Sequence, residues 1–247
     1  MLMARTSLRR TPLIPLTGRR AGLKVLACSL LTLVNCVGCG RHSAVAGNQA
    51  YPVVYVAIGD STGIGLGARD GGGYVDRLFA RIDQKRSGSQ LINLCSPGAT
   101  TADVVSKQVS RLADTRATLV TVCVGANDLL RGVGETQFVE NYEALVASLK
   151  RSARLVTVAN LPDIASAPAM RGAAGEAIRP RLERFNKAIE DVARLHGVAV
   201  IDLYELSRGA VSSRPDFFSS DGLHPSDSGY AHWAEAMWAV IERALDE

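Results

Sequence analysis

Beyond residue 50 the chain has no surplus of positive charge. Seven of its 28 lysines and arginines (Arg5, Arg9, Arg10, Arg19, Arg20, Lys24 and Arg41) lie in residues 1–50, which hold no acid, and the remaining 21 face 24 acids. The formal charge of +4 therefore belongs to the N-terminal segment. A nucleic-acid-binding face needs its basic excess on the folded domain, so no nucleic-acid partner is expected. Long apolar runs are also missing. The stretch at 25–37 is shorter than the roughly 20 residues a membrane-spanning helix requires. Cysteine and histidine never fall at zinc-site spacing, so neither a metal nor a cofactor is expected. Disorder is excluded by composition: 47% apolar and 21% charged residues are ordinary for a globular chain. With 247 residues there is enough chain for one domain with a substantial core. A monomer is the expectation.

What the N-terminal segment does contain is ordered in three parts. A basic stretch ends at Lys24, the apolar run follows, and the small residues Gly38, Cys39 and Gly40 close it. This pattern predicts a signal peptide over 1–39, a tether over 40–50 and a domain over 51–247. Cys36-Val37-Gly38-Cys39 resembles a bacterial lipobox, with Cys36 where leucine is usual, and implies lipidation at Cys39. Acyl chains there would hold the protein to a membrane at about 0.8 kcal/mol per buried methylene. The stretch from Arg19 to Lys24 resembles a twin-arginine signal without its usual serine and phenylalanine. The expected location is the bacterial cell envelope, either lipid-anchored or free in the periplasm or medium. Cys95 and Cys123 are the two cysteines of the domain. Buried thiols are expected, with one disulfide left open.

From Tyr51 onward, short runs rich in Val, Ile and Leu alternate with longer helical patterns. Strands are predicted at 53–58, 90–95, 119–124, 154–159 and 198–202, and helices at 73–85, 101–112, 135–150, 180–195 and 226–245. Pro180 suits a first helical turn and Gly197 a left-handed C-cap. In the last helix Tyr230, Trp233, Met237, Val240 and Ile241 form one apolar stripe. Repeated strand–helix alternation predicts an α/β fold, a three-layer α/β/α sandwich on a five-stranded parallel sheet. Sites in such sheets gather beyond the carboxyl ends of the strands.

Four motifs stand at those ends. Gly59-Asp60-Ser61-Thr62-Gly63 follows the first strand, Ser96-Pro97-Gly98 the second and Gly125-Ala126-Asn127-Asp128 the third, while Asp221-Gly222-Leu223-His224-Pro225 precedes the last helix. A serine hydroxyl needs a base to take its proton, and imidazole titrates near working pH. An imidazole in turn needs an orienting partner, which Asp221 can supply from three residues upstream. Ser, Gly, Asn and His in this order resemble the SGNH (GDSL-type) hydrolases, over about residues 53–245. The resemblance implies a flavodoxin-like SGNH fold, with Ser61 as nucleophile, His224 as base and Asp221 as its orienter. It also implies an oxyanion hole made by the N–H of Ser61, the N–H of Gly98 and the side-chain amide of Asn127. Thr62 stands where many members have leucine.

The expected activity is cleavage of carboxylic (acyl) esters through a covalent acyl-enzyme, with a small lipid or short-chain acyl ester as substrate. Carbohydrate O-acetyl esters and acyl-thioesters are alternatives on the same groups. A non-catalytic surface lipoprotein that binds glycan or lipid is the alternative of another class. Ile64, Leu66, Leu129 and Leu130 are candidates to line the acyl site. Each motif also has a plain structural reading, with Ser61 or Asn127 as helix caps and Gly98 as a turn glycine. Asp60 and Asp128 are expected to shape loops, Asp202 to cap a helix or reach the cleft, and His232 to be structural or exposed. The run Gly63-x-Gly65-x-x-Ala68 matches a dinucleotide fingerprint as text, but no acid closes the second strand.

Overall fold

The side chains of β1 (Val54–Gly59) sort by parity. Val56 and Ile58 enter one apolar cluster, and Tyr55 and Ala57 enter another on the opposite face. This is what a pleated strand does when both of its faces are covered. In the computed structural model, which describes residues 51–112, 115–208 and 213–246, β1 sits in a five-stranded sheet with β2 (Gln90–Asn93), β3 (Ala117–Cys123), β4 (Ala153–Ala159) and β5 (Ala199–Ile201). The order is β2-β1-β3-β4-β5 and every pairing is parallel. The three-layer α/β/α sandwich is present as expected.

On one face lie α1 (Tyr74–Lys85) and α7 (Asp227–Asp246), whose Tyr74, Leu78, Trp233 and Met237 bury against Tyr55 and Leu119. On the other lie α4 (Glu135–Ser152) and α5 (Ala173–His196), which contribute Phe138, Tyr142, Phe185 and Ile189. Phe138 stacks on Phe185 with centroids 4.0 Å apart. Each such fully buried side chain contributes roughly 1.5–3 kcal/mol. The short α2 (Thr101–Asp103), α3 (Ala126–Leu130) and α6 (Leu203–Ser207) follow β2, β3 and β5 at the carboxyl end of the sheet.

Several expectations change in detail. The helix predicted over 101–112 is three pieces, α2, a π-helical stretch Val104–Gln108 and a 3-10 turn Val109–Leu112. The helix predicted from 180 begins at Ala173, so Pro180 lies inside α5 rather than in its first turn. Tight docking holds the extra turns: Gly175 packs so closely on the carbonyl of Ala165 that a Cβ would collide. Gly197 does cap α5, at φ 60° and ψ 44°. Cys95 and Cys123 are both free. Cys123 ends β3 and Cys95 lies two residues past the end of β2, with β1 between those strands. Two strand spacings are roughly 9–10 Å, beyond the about 7 Å that a disulfide bridges. Burial raises both thiols, Cys123 to about 12. The predicted signal peptide, the tether and Cys39 lie outside the described residues.

Candidate active site

After β1 the chain runs to β2 on one side and later to β3 on the other, so a crevice opens beyond the ends of β1 and β3. Ser61 stands at that switch point. Asp60 bends the chain there, its Oδ1 accepting the Thr62 N–H at 3.0 Å and the Thr62 hydroxyl at 2.9 Å. No helix follows until Tyr74. The Gly63–Ala68 run therefore supplies no helix N-terminus for a pyrophosphate, and Ser61 caps no helix.

The Ser61 Oγ lies 2.9 Å from His224 Nε2, and His224 Nδ1 lies 2.6 Å from Asp221 Oδ2. The Asp221 Oδ1 accepts the N–H groups of Leu223 and His224 and the Ser219 hydroxyl, all at 2.8–2.9 Å. Burial alone would raise this carboxyl, but these donors and the ring outweigh it and hold it well below the usual carboxylate range. The loop bearing His224 is clamped on both sides. Ser219 N–H donates to the His224 carbonyl at 2.9 Å, Ser226 N–H to the Phe217 carbonyl at 2.8 Å and Ala169 N–H to the Gly222 carbonyl at 3.0 Å.

Asn127 sits in the first turn of α3, whose N-cap is Gly125 rather than Asn127. One of its amide hydrogens goes to the Ala99 carbonyl at 3.0 Å, which leaves the second for a ligand. Asp128 accepts the N–H and hydroxyl of Thr101 at 2.9 and 2.6 Å. These two bridges tie the Gly98 loop to α3. Gly98 adopts φ 71°, a conformation that favours glycine. Among the described residues, no acceptor takes the N–H of Ser61 or of Gly98. Burial raises the carboxyls of Asp60 and Asp128 above their ordinary range despite the bonds they accept.

Ser61, Gly98, Asn127 and His224 all line one cleft of about 250 Å3, walled by Leu66, Val124, Leu130, Leu161, Ile164 and Leu223. Of the four residues expected to line an acyl site, Leu66 and Leu130 do so. Leu129 points the other way into the core at 2% exposure, and Ile64 is exposed outside the cleft. Asp202 caps α6 by accepting the Glu205 N–H at 3.0 Å and does not line the cleft. Sequence reasoning missed His232, which lines the cleft and stacks on Phe217 with centroids 5.0 Å apart. The available signal was helical spacing, since His232 shares a face with Gly229 and Trp233, both cleft residues. Asp163 was missed as well. It lines the cleft 3.1 Å from Arg179, a pairing that no short-range pattern announces.

The family model described as the GDSL-like lipase/acylhydrolase family matches residues 57–232. The chain belongs to that family. Its reaction class is hydrolysis of a carboxylic ester. "Esterase TesA" of Pseudomonas aeruginosa is 25% identical over 198 residues, covering 80% of this chain and 92% of that protein. "Lipase" of Streptomyces rimosus is 27% identical over 206 residues, covering 78% and 73%. Among solved structures, the acetylxylan esterase Axe2 from Geobacillus stearothermophilus shares the fold. It has a TM-score of 0.65 at 17% identity, over 78% of this chain and 96% of that one.

Proposed function

We propose that this chain cleaves lipid or short-chain acyl esters through a covalent intermediate on Ser61, with His224 as general base and Asp221 as its orienter. One observation carries the reading: the Ser61 Oγ, His224 and Asp221 form a continuous relay at 2.9 and 2.6 Å on the wall of an apolar cleft. His224 Nε2 takes the Ser61 proton as Oγ bonds to the ester carbonyl carbon. The carbonyl electron pair moves to oxygen, where the N–H groups of Ser61 and Gly98 and the Asn127 amide receive it. Return of the pair expels the alkoxide, which leaves as the alcohol with the proton from His224. Water then repeats the sequence on the acyl-Ser61, releasing the carboxylic acid and free serine.

The aliphatic walls favour an acyl chain over a bare acetyl group, because apolar area gains about 25 cal/mol per Å² when it leaves water. The N-terminal pattern of base, apolar run and small residues supports export to the cell envelope, with Cys39 as the acylated residue of the lipid-anchored form. The test of the chemistry is labelling with a fluorophosphonate together with hydrolysis of p-nitrophenyl esters of rising acyl length. An adduct on Ser61, activity lost in Ser61→Ala and a preference beyond acetate are expected. Absence of an adduct in the folded protein overturns the nucleophile. A preference for acetylated sugars or acyl-thioesters overturns the substrate while leaving the nucleophile in place. For the anchor, Cys39→Ser should release the protein from membranes.

A further inference from the structure

Tyr51 and Pro52 lead into β1 at the end of the sheet opposite the cleft. A groove of about 550 Å3 lies there, lined by Arg86, Arg116, Arg151 and Arg154 with Tyr51 beside them. The four guanidinium groups come from separate places: the C-cap of α1, the residue before β3, the last turn of α4 and the second residue of β4. Arg86 donates to the Leu245 carbonyl and to Asp246, the latter at 3.2 Å, while its Nε is buried without a partner. Among the described residues, Arg151 donates only to the Ala147 carbonyl, at 2.9 Å. No carboxylate among the described residues pairs with Arg116, Arg151 or Arg154. Tyr51 is 85% exposed.

Arg86 has Asp246 as a counter-charge, but the other three arginines have none among the described residues. Such unbalanced positive charges repel one another and attract an anionic surface. We propose that this pole is a docking face for a membrane bearing anionic phospholipids. Guanidinium forks match phosphate oxygens two at a time, and an exposed tyrosine suits the headgroup layer. Chain connectivity supports the same occupant. Residues 1–50, with their basic stretch and apolar run, join the domain at Tyr51. Residues 40–50 can extend at most about 3.6 Å each, so a chain held at Cys39 keeps the domain within reach of the bilayer, and the charge of this pole then selects the face that docks. The strands put roughly 20 Å of sheet between the two ends, so docking leaves the cleft open to the aqueous side. The proposal holds whether or not Cys39 is acylated, because an acyl anchor does not distinguish anionic from neutral lipid.

The test is co-sedimentation of the full chain with vesicles of phosphatidylcholine alone or mixed with phosphatidylglycerol, at low and high salt. The native protein should prefer the phosphatidylglycerol vesicles, and the preference should shrink with salt. Arg116→Ser combined with Arg154→Ser should lower that preference roughly 25-fold, about fivefold for each arginine. Unchanged hydrolysis of a dissolved p-nitrophenyl ester would show that the variant is folded. Lys187→Ser with Arg194→Ser, on the exposed side of α5, should leave the preference intact. No preference in the native protein overturns the proposal. So does a preference that survives the double substitution, since the attraction then resides elsewhere, in residues 1–50 for example. Retention on vesicles governed only by Cys39→Ser likewise leaves the arginine pole without a role and overturns it.

Discussion

Gln108 holds Gly59 by both of its backbone groups, its Oε1 accepting the Gly59 N–H at 3.0 Å and its amide donating to the Gly59 carbonyl at 2.8 Å. Gly59 lies two residues before Ser61, so a buried side chain from the π-helical stretch fixes the strand end from which the hydroxyl projects. In Gln108→Ala the Gly59 carbonyl keeps the Ser96 N–H at 3.1 Å. The Gly59 N–H, however, loses its partner, at a cost of about 1–3 kcal/mol. Below the melting transition, kcat should fall about 10–100-fold with KM little changed, because small misplacements of a nucleophile are expensive. Labelling of Ser61 by a fluorophosphonate should slow in parallel. A lowered Tm with unchanged kcat and labelling would reduce Gln108 to a purely structural role.

Asp221→Asn separates geometry from charge. An asparagine keeps an Oδ1 to accept the N–H groups of Leu223 and His224, but it points an NH2 group at His224 Nδ1 in place of Oδ2. The ring must then carry its proton on Nε2, the wrong side to accept one from Ser61. A fall in kcat of about 10⁴-fold with KM nearly constant is expected. The native carboxyl is held below the usual carboxylate range, so Asp221 stays ionised as pH falls to about 4. Any acid limb of kcat/KM above that pH belongs to another group. Equal activity of the two proteins would remove Asp221 from the relay.

Asn127→Ala removes one donor aimed at the developing oxyanion and should lower kcat about 10²–10³-fold. It also removes the bond to the Ala99 carbonyl, which fastens the Gly98 loop. Asp128 still holds Thr101 on the same loop, so Tm should change much less than kcat. Kinetics and thermal unfolding on one preparation check this. A change of less than about threefold in kcat contradicts the assignment.

The sheet and the relay were legible because turn chemistry sits at strand ends in this fold. Asp60, Gly98 and Gly125 follow the ends of β1, β2 and β3, and Gly222 stands in the turn before α7. Ser61, Asn127 and His224 lie within two residues of Asp60, Gly125 and Gly222. Features that depend on helical phase were not legible. Leu129 and Leu130 are neighbours of equal hydrophobicity, and only the start of α3 after Gly125 decides that Leu130 faces the cleft and Leu129 the core. His232 is hidden in the same way, by the phase of α7. Pro180 misled because its local preference for a first turn is weaker than the docking of the preceding turns around Gly175. The clasp of Gln108 on Gly59 spans 49 residues, and the π-helical spacing that brings it there has no sequence pattern of its own.

Asp60 supplies a test that depends on pH. Its side chain is 2% exposed, and Oδ1 accepts both donors of Thr62. Burial nevertheless raises the carboxyl above its ordinary range, outweighing those bonds and the attraction of His224. A raised folded value means that the folded protein holds its proton where the unfolded chain has released it. The stabilisation is complete below about pH 4, the unfolded value, and is lost as pH climbs through the folded value. Asn at this position keeps an Oδ1 acceptor and never ionises. Thermal unfolding of Asp60→Asn beside the native protein should therefore show a Tm difference that moves in favour of the variant as pH rises from about 4 toward 8. A difference that stays flat, or moves in favour of the native protein over that interval, means that neighbouring groups compensate the buried charge and that Asp60 is ionised in the fold at no cost.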